Sequence, residues 1–189
     1  HPDKILYKGK LDPGDKIVLT KPLGFGLVTS SNKSGKADPE DFSKVVAWMK
    51  TLNKKASELA QEFGLKSGTD ITGFSLIGHS CEMIRKGNIG LRYEWDRIPF
   101  VDHYEKYMNM GLFPGGAVEN LKFYEKNVHF SSRINELEQM MLFDPQTSGG
   151  LLLGVKPELL PAFLKRAESI GQKVWVIGEA IEGSGIEVL

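Results

Sequence analysis

A short apolar run at residues 151 to 155 is typical of a strand that is buried on both faces. Further strands are predicted at residues 16 to 20, 89 to 95, 174 to 178 and 186 to 189. Long helical patterns separate most of these segments. Because strands and helices of this kind bury their apolar faces against each other, we predict an α+β domain with helices layered on a mixed β-sheet.

The clearest helical pattern lies between residues 38 and 64. Asp38 followed by Pro39 is a typical helix start, and apolar residues keep the helical phase as far as Gly64. We predict a long amphipathic helix with one break there, and further helices at about residues 73 to 86, 132 to 142 and 158 to 170. The segments expected to be irregular are a bend at residues 21 to 26, a polar loop at 30 to 37 and a turn at 114 to 116.

The charge balance and the cysteine count exclude several classes of function. Twenty-four Lys and Arg residues balance twenty-four Asp and Glu residues, so the chain lacks the electrostatic footprint of a nucleic-acid binder. No apolar run is long enough to cross a bilayer, and we expect no membrane partner. With a single cysteine and no secretory signal, the protein is expected to be cytoplasmic.

The start of the chain is polar, and its first residue is His1 rather than Met. We therefore expect that the chain has been cut from a longer protein. Residues 1 to 13 are predicted to be an interdomain linker or an edge segment. Residues 14 to 189 are long enough to bury a core as one domain.

Residues 69 to 74, Thr-Asp-Ile-Thr-Gly-Phe, lead into the helix predicted at about residues 73 to 86. Asp70 and Thr72 would then stand at the positive end of a helix dipole, and Gly73 would allow close approach of a ligand. One interpretation is a magnesium phosphate site, with the carboxylate on the metal and the backbone amides on the anion. The other is that Asp70 or Thr72 caps the helix, and local chemistry alone favours the cap.

The same helix is predicted to have an apolar and a polar face. Phe74, Ile77, Cys81 and Ile84 recur at the spacing of one face, so the Cys81 thiol is expected to be buried and inert. The opposite, polar face is predicted to carry Ser75, His79, Glu82 and Lys86. His79 has no second histidine or cysteine at a metal-ligand spacing, and we predict a solvated or supporting residue rather than a ligand.

A second polar stretch, Asp-Pro-Gln-Thr-Ser-Gly-Gly at residues 144 to 150, directly precedes the buried strand. Its amide, hydroxyl and glycine groups could form a backbone nest for an anion. They could equally form a tight loop that needs glycine geometry. The residues alone do not decide between these two interpretations.

Together these stretches resemble the selenophosphate synthetase (selenide, water dikinase) family. Residues 144 to 152 are similar to that family's own signature, and its relatives aminoimidazole ribonucleotide synthetase, thiamine monophosphate kinase and the hydrogenase-maturation dehydratase differ there. Residues 69 to 74 with Gly78 and His79 are similar to a Thr-Asp-Val-Thr-Gly-Phe stretch and a following Gly-His that these families share. Similar stretches follow in family order at residues 14 to 15, 19 to 24, 52 to 53, 114 to 116 and 177 to 179.

The resemblance covers only the C-terminal half of such an enzyme. It implies a fold like the C-terminal domain of aminoimidazole ribonucleotide synthetase, with partial likeness to ferredoxin-like folds. It also implies that the complete protein converts ATP, selenide and water into selenophosphate, AMP and phosphate, and that it dimerises largely through its N-terminal half. The family's nucleophilic Cys or selenocysteine, its lysine and further metal-binding aspartates belong to that half, and Cys81 is not their counterpart.

By this resemblance Asp70 matches a magnesium-binding carboxylate that faces the ATP phosphates. Because magnesium needs near-octahedral oxygen ligands, Asp70 is expected to act only with nucleotide and with carboxylates of the N-terminal half. We therefore expect no catalytic residue in this chain and no activity of the chain alone. Lesser candidates for the phosphate site or its cleft are Thr69, Thr72, Gly73, Gln146, Thr147, Ser148, Gly149 and Gly150.

The chain departs from the family pattern at three positions. Ser75 stands where the family commonly has Gly, and Phe25 and Ala117 stand where Thr is common. Ser75 is one helical turn from the predicted phosphate site, where its hydroxymethyl group would add a hydrogen bond or restrict approach. The alternative functions are another ATP-dependent synthetase or kinase of the superfamily, and a non-catalytic paralogue or scaffold domain.

Overall fold

The computed structural model describes residues 5–85 and 87–189 of the chain. Within these residues it contains a seven-stranded sheet and eight α-helices. The strands are β1 (Lys16–Leu19), β2 (Ser67–Asp70), β3 (Ile89–Tyr93), β4 (Val128–Phe130), β5 (Leu151–Val155), β6 (Trp175–Glu182) and β7 (Ile186–Val188). The helices are α1 (Phe25–Lys33), α2 (Pro39–Lys50), α3 (Lys54–Glu62), α4 (Ser75–Ile84), α5 (Tyr104–Asn109), α6 (Gly115–Tyr124), α7 (Glu136–Met141) and α8 (Leu160–Ser169).

The sheet is mixed, with the strand order β2-β5-β1-β6-β3-β7-β4. The first four neighbouring pairs in this order are antiparallel, and the last two, β3–β7 and β7–β4, are parallel. With helices packed against it, this sheet confirms the predicted α+β class.

Strand β5 is buried on both faces, as its apolar sequence predicts. Leu152 belongs to the larger hydrophobic cluster and Leu153 to a smaller one, and both side chains are fully buried. Successive side chains of a strand point to opposite faces, so the two clusters lie on the two sides of the sheet. The smaller cluster is closed by apolar residues of α3 and α8, such as Leu59 and Phe163.

The long helical pattern is confirmed and is broken once, between α2 and α3. The Asp38 side chain accepts a hydrogen bond of 2.9 Å from the Glu40 amide, so it caps α2 as predicted. Residues 51 to 53 separate the two helices, and this break is used at the site described below.

Three segments differ from their predictions. Residues 25 to 33 form helix α1 where a bend and a polar loop were expected, because Phe25, Leu27 and Val28 are buried in the core. Residues 115 and 116 begin helix α6 rather than forming a turn. The sequence of residues 101 to 113 has a weak helical pattern, which predicts a helix there, but only the short helix α5 forms.

The edge strands of the sheet are β2 and β4. Beside β2, the Tyr7 amide donates to the Lys66 carbonyl at 2.9 Å, and the Gly68 amide donates to the Tyr7 carbonyl at 3.0 Å. The prediction for residues 1 to 13 stays a prediction, and its first four residues lie outside the described ones. None of the described helices has both the length and the apolar character needed to cross a membrane.

Candidate functional site

The two polar stretches singled out in the sequence meet at one end of the sheet. Asp70 is the last residue of β2 and is paired in register with Leu151, the first residue of β5. Beyond this pair, the Ile71 amide donates to the Gly150 carbonyl at 2.8 Å, and the Gln146 amide donates to the Thr72 carbonyl at 3.0 Å. Two segments more than seventy residues apart therefore form one surface.

Gly149 and Gly150 allow the two segments to come this close. A Cβ atom at Gly149 would lie 2.1 Å from the Ile71 carbonyl oxygen, and one at Gly150 would lie 2.5 Å from the Lys21 amide nitrogen. Real Cβ atoms do not approach backbone atoms at such distances. Both glycines are buried, so here the structure agrees with the tight-loop interpretation.

Gln146 has a structural role that leaves no group of its side chain for a ligand. Its Oε1 accepts hydrogen bonds from the amides of Gly24 and Phe25, at 3.1 and 3.0 Å, and so caps helix α1. Its Nε2 donates to the Asp144 carbonyl oxygen and to Asp144 Oδ2, at 2.7 and 2.9 Å. The side chain is buried, and a direct part in a ligand cleft is not supported.

Asp144 is a buried carboxyl at the start of helix α1. Its Oδ1 has no hydrogen-bond partner of good geometry, although it lies beside the first turn of α1. Burial raises the pKa of the Asp144 carboxyl to about 7, against the opposing effects of the Leu27 amide, the Gln146 side chain and the Gly26 amide. In the folded protein this group therefore keeps its proton at pH values where an exposed aspartate has lost it.

We expect Asp144 to make the folded state less stable as the pH rises from about 4 to about 7. In the unfolded chain the carboxyl loses its proton near the ordinary aspartate pKa of about 3.9, whereas in the folded chain it keeps the proton up to about pH 7. The loss should be on the order of a few kcal/mol and should level off above pH 7. Urea unfolding of the wild-type protein and of Asp144→Asn across this range measures it. A constant difference in unfolding free energy between the two proteins would contradict the prediction.

Asp70 is exposed, and its carboxylate has no hydrogen bond or ion pair within the described part of the chain. Helix α4 begins at Ser75, is preceded by Phe74, and has no side-chain cap. The interpretation of Asp70 or Thr72 as its cap is therefore wrong. Among residues 5–85 and 87–189, no cluster of three or more His, Cys, Asp or Glu side chains could hold a metal ion. The Asp70 carboxylate is thus suited to supply one oxygen ligand to a divalent cation, and the remaining ligands would have to come from elsewhere.

The other predicted site residues differ in how far they are exposed to solvent. Gly73, Thr147 and Ser148 are exposed, and Thr72 is half-buried. Thr69 is buried within β2, with its hydroxyl 3.3 Å from the Asp70 carbonyl oxygen. Three surface pockets of about 430, 550 and 200 Å³ lie elsewhere, and Asp70 lines none of them. Asp70 is exposed and lies outside these three pockets.

The predicted faces of helix α4 are wrong in part. Ser75 and His79 are buried, although both were assigned to a solvated face, and Phe74 is 52% exposed. Helix α4 packs against β2, β3 and α6, so it is enclosed on more than one side and cannot follow a two-face pattern. Cys81 is half-buried rather than buried as predicted, but burial and the nearby Glu82 raise the pKa of its thiol to about 11, in keeping with the predicted inert thiol.

Ser75 stands where the resemblance leads us to expect Gly, and the backbone conformation of Ser75 is one that favours glycine. Its φ is +66°, in the left-handed region that favours glycine. The side chain is fully buried, and Oγ has no hydrogen-bond partner. The hydroxymethyl group therefore adds strain and an unsatisfied polar atom next to the surface around Asp70.

Replacing Ser75 with glycine should stabilise the fold by about 1–2 kcal/mol, because it removes the left-handed strain and the buried hydroxyl while adding backbone entropy to the unfolded chain. Ser31→Gly is the matched control. Ser31 is also buried with an unpartnered hydroxyl, but it lies inside helix α1 without a positive φ. Glycine there should not stabilise. Urea unfolding checks both variants, and a less stable Ser75→Gly protein would refute the strain argument.

Three residues that sequence reasoning did not assign to the site hold its loops in place. The Lys21 ammonium donates to the Ser148 carbonyl at 2.7 Å, and burial lowers its pKa. Asn53, in the break between α2 and α3, donates from Nδ2 to the Gly149 carbonyl at 2.9 Å. Asn120 of α6 donates to the Gly73 carbonyl at 2.9 Å. Lys21 and Asn53 lie in stretches that resemble the family, but no local pattern predicts these hydrogen bonds, since the partners are distant in the chain.

Comparison with known proteins places this geometry in context. A family profile for the AIR synthase related protein, C-terminal domain, matches residues 12–189. The selenide, water dikinase of Carboxydothermus hydrogenoformans is 39% identical over 178 residues, which are 94% of this chain and 52% of that protein. The chain spans about half the length of the curated relatives it matches.

Solved structures share the fold at low sequence identity. Thiamine-monophosphate kinase from Stenotrophomonas maltophilia superposes with a TM-score of 0.72 at 14% identity, over 99% of this chain and 54% of that chain. The hydrogenase maturation protein HypE, in a structure described as a complex with ATP, superposes with a TM-score of 0.63 at 15% identity, over 94% of this chain and 45% of that chain.

Proposed function

Because the chain belongs to the family of AIR synthase related proteins, as their C-terminal domain, we propose that it forms the C-terminal half of a selenide, water dikinase. The complete protein would convert ATP, selenide and water into selenophosphate, AMP and phosphate in the cytoplasm. Support comes from the similarity to selenide, water dikinases along nearly all of this chain, and from the ATP named for a protein of the same fold.

The observation that carries the proposal is the exposed carboxylate of Asp70, which has no side-chain partner among residues 5–85 and 87–189. Magnesium needs near-octahedral oxygen ligands and usually takes several from phosphate and water. Asp70 would supply one ligand, and the N-terminal half would supply further carboxylates and hold the nucleotide. A metal ion bound in this way would neutralise charge on the polyphosphate during transfer.

The remaining residues would support the cleft rather than perform chemistry. Gly73, Thr147 and Ser148 are exposed on the two segments that meet at this end of the sheet, and the Lys21 ammonium donates to the Ser148 carbonyl. Gly149 and Gly150 set the position of this loop through backbone contacts. The chain alone would be inactive, and the complete protein would act as a homodimer.

A calorimetric titration with Mg-ATP, on this chain and on the full-length protein side by side, tests the proposal. We expect binding by the full-length protein only, because Asp70 is part of a site completed elsewhere. Binding of similar affinity by the chain alone would overturn the division of the site. No binding by either protein would favour a scaffold domain that no longer handles ATP.

A further inference from the structure

A line of hydrogen bonds runs from the surface around Asp70 into the protein and out again. Thr72 Oγ1 lies 3.0 Å from His79 Nε2, and His79 Nδ1 lies 2.9 Å from Glu82 Oε2. The Lys8 ammonium donates to the same carboxylate at 2.7 Å. His79 is only 4% exposed, so within the described part of the chain its two ring nitrogens face these two partners rather than solvent.

The partners of His79 determine where its proton lies. Hydrogen bonds from Lys8 and His79 outweigh the effect of burial and lower the pKa of Glu82, so this side chain is an ionised acceptor. The His79 Nδ1–H must therefore donate to Glu82. In a neutral imidazole the other nitrogen, Nε2, then carries no proton and accepts a hydrogen bond.

With His79 in this neutral form, Thr72 is the donor to Nε2, and this fixes the direction of the Thr72 hydroxyl. With its proton turned inward to His79, the Thr72 oxygen has only lone pairs left for other partners. Exposure alternates along Asp70, Ile71 and Thr72, from exposed to fully buried to half-buried. Asp70 and Thr72 are thus the two accessible residues on either side of the buried Ile71, just where β2 ends.

We infer that His79 is a positioning residue that makes Thr72 a hydrogen-bond acceptor for the hydration shell of a divalent cation held by Asp70. This inference rests on the proposed function. A cation of the magnesium type keeps several bound waters, and each of these waters donates hydrogen bonds. An oxygen that only accepts suits such a water.

The same argument changes the role predicted for Thr72 in the sequence. A phosphate oxygen needs a hydrogen-bond donor. The Thr72 hydroxyl already donates its hydrogen bond to His79 and so cannot donate to a phosphate. Thr72 should therefore contribute to binding of the metal ion and not to binding of the metal-free nucleotide.

The test uses the full-length protein, with Mn²⁺ as the probe and a non-hydrolysable ATP analogue present at saturation. Free Mn²⁺ is followed by its electron paramagnetic resonance signal. Thr72→Val, which keeps the shape but removes the oxygen, should raise the Kd for Mn²⁺ by roughly five- to tenfold, the value of about one hydrogen bond. Thr72→Ser, which keeps the oxygen, should stay within about twofold of the wild type.

Variants of His79 test whether this residue orients the Thr72 hydroxyl or only fills space in the core. His79→Ala should weaken Mn²⁺ binding, though by less than Thr72→Val, because the Thr72 oxygen remains but its hydroxyl is no longer oriented. The double variant should be no weaker than Thr72→Val, because both substitutions act through one hydroxyl. His79→Gln should recover part of the loss, since its amide oxygen can accept the Thr72 proton in place of Nε2. Equal Mn²⁺ affinities of Thr72→Val and wild type would overturn the inference.

Two other outcomes are distinguishable. If Thr72→Val weakens the metal-free analogue but leaves the Kd for Mn²⁺ unchanged, Thr72 is a phosphate donor and the inference is wrong. If the wild-type protein binds neither Mn²⁺ nor the analogue, the proposed function itself fails. Where a variant does not fold, nitrogen NMR of histidine-labelled wild-type protein decides: a proton on Nδ1 alone supports the inference, and a proton on Nε2 contradicts it.

Discussion

Replacing Gly149 with alanine is expected to destabilise the fold by more than about 3 kcal/mol or to prevent folding, an effect at the upper end for single substitutions. The added Cβ would lie 2.1 Å from the Ile71 carbonyl oxygen and 3.0 Å from the Gln146 Cβ. Both neighbours are held by hydrogen bonds, Ile71 to Gly150 and Gln146 to the start of α1, so neither can move cheaply. Urea unfolding of the two proteins measures the loss.

Gly73→Ala is the control for this substitution. Gly73 lies in the facing segment, has no positive φ, and would place its Cβ where no atom lies within 4 Å. The unfolding free energy of Gly73→Ala should remain within about 0.5 kcal/mol of the wild-type value. If both glycines tolerate alanine equally, the two segments are not packed as described.

Replacing Asp70 with asparagine in the full-length protein should lower magnesium-dependent turnover by at least about 100-fold, since a metal clamp on a phosphoryl group is worth several kcal/mol. Asparagine keeps the size of the side chain but removes the charge. Because Asp70 is exposed and unpaired among the described residues, the unfolding free energy of Asp70→Asn should equal that of the wild type. Turnover is measured at several magnesium concentrations, together with urea unfolding.

Asp96→Asn is the matched control for Asp70. Asp96 is also an exposed aspartate, but it pairs with Arg133 at 3.0 Å and lies just after β3. Surface ion pairs contribute little, so this variant should retain wild-type turnover within about twofold. Normal turnover of Asp70→Asn would show that Asp70 does not bind the metal ion. A loss of folding in this variant would show that Asp70 has a structural role instead.

The parts of the fold that local physics determines were predictable from the sequence. The apolar run of β5 indicates burial on both faces, and the Asp38 side chain caps α2 two residues away. Helix α1 was missed because its N-terminus is capped by Gln146, which lies about 120 positions further along the chain. A cap supplied by tertiary structure leaves no local pattern to detect.

The faces of α4 show a second limit of sequence patterns. A helix that packs on several sides can bury polar residues, and most buried polar groups find a hydrogen-bond partner. Ser80 does so, with Oγ 2.7 Å from the Leu76 carbonyl oxygen and 2.6 Å from the Tyr93 hydroxyl. His79 was predicted to be a solvated or a supporting residue, and it is buried between Thr72 and Glu82. Periodicity alone cannot distinguish such a buried polar residue from an exposed one.

The candidate site was predictable as two motifs but not as one surface. Asp70 and the loop of residues 144 to 150 were identified by residue type and by resemblance, and their proximity depends on the pairing of β2 with β5. The tethers Lys21, Asn53 and Asn120 were not identified, because each bonds a backbone carbonyl and any residue offers the same acceptor.

The short outer strands of the sheet have a consequence for self-association. An edge strand presents unpaired amides and carbonyls that can add a strand from another molecule, and long flat edges promote aggregation. Here β2 has only four residues and β4 only three, and Tyr7 already pairs with part of the free side of β2. Neither edge offers a long template, so growth of the sheet from copy to copy is disfavoured.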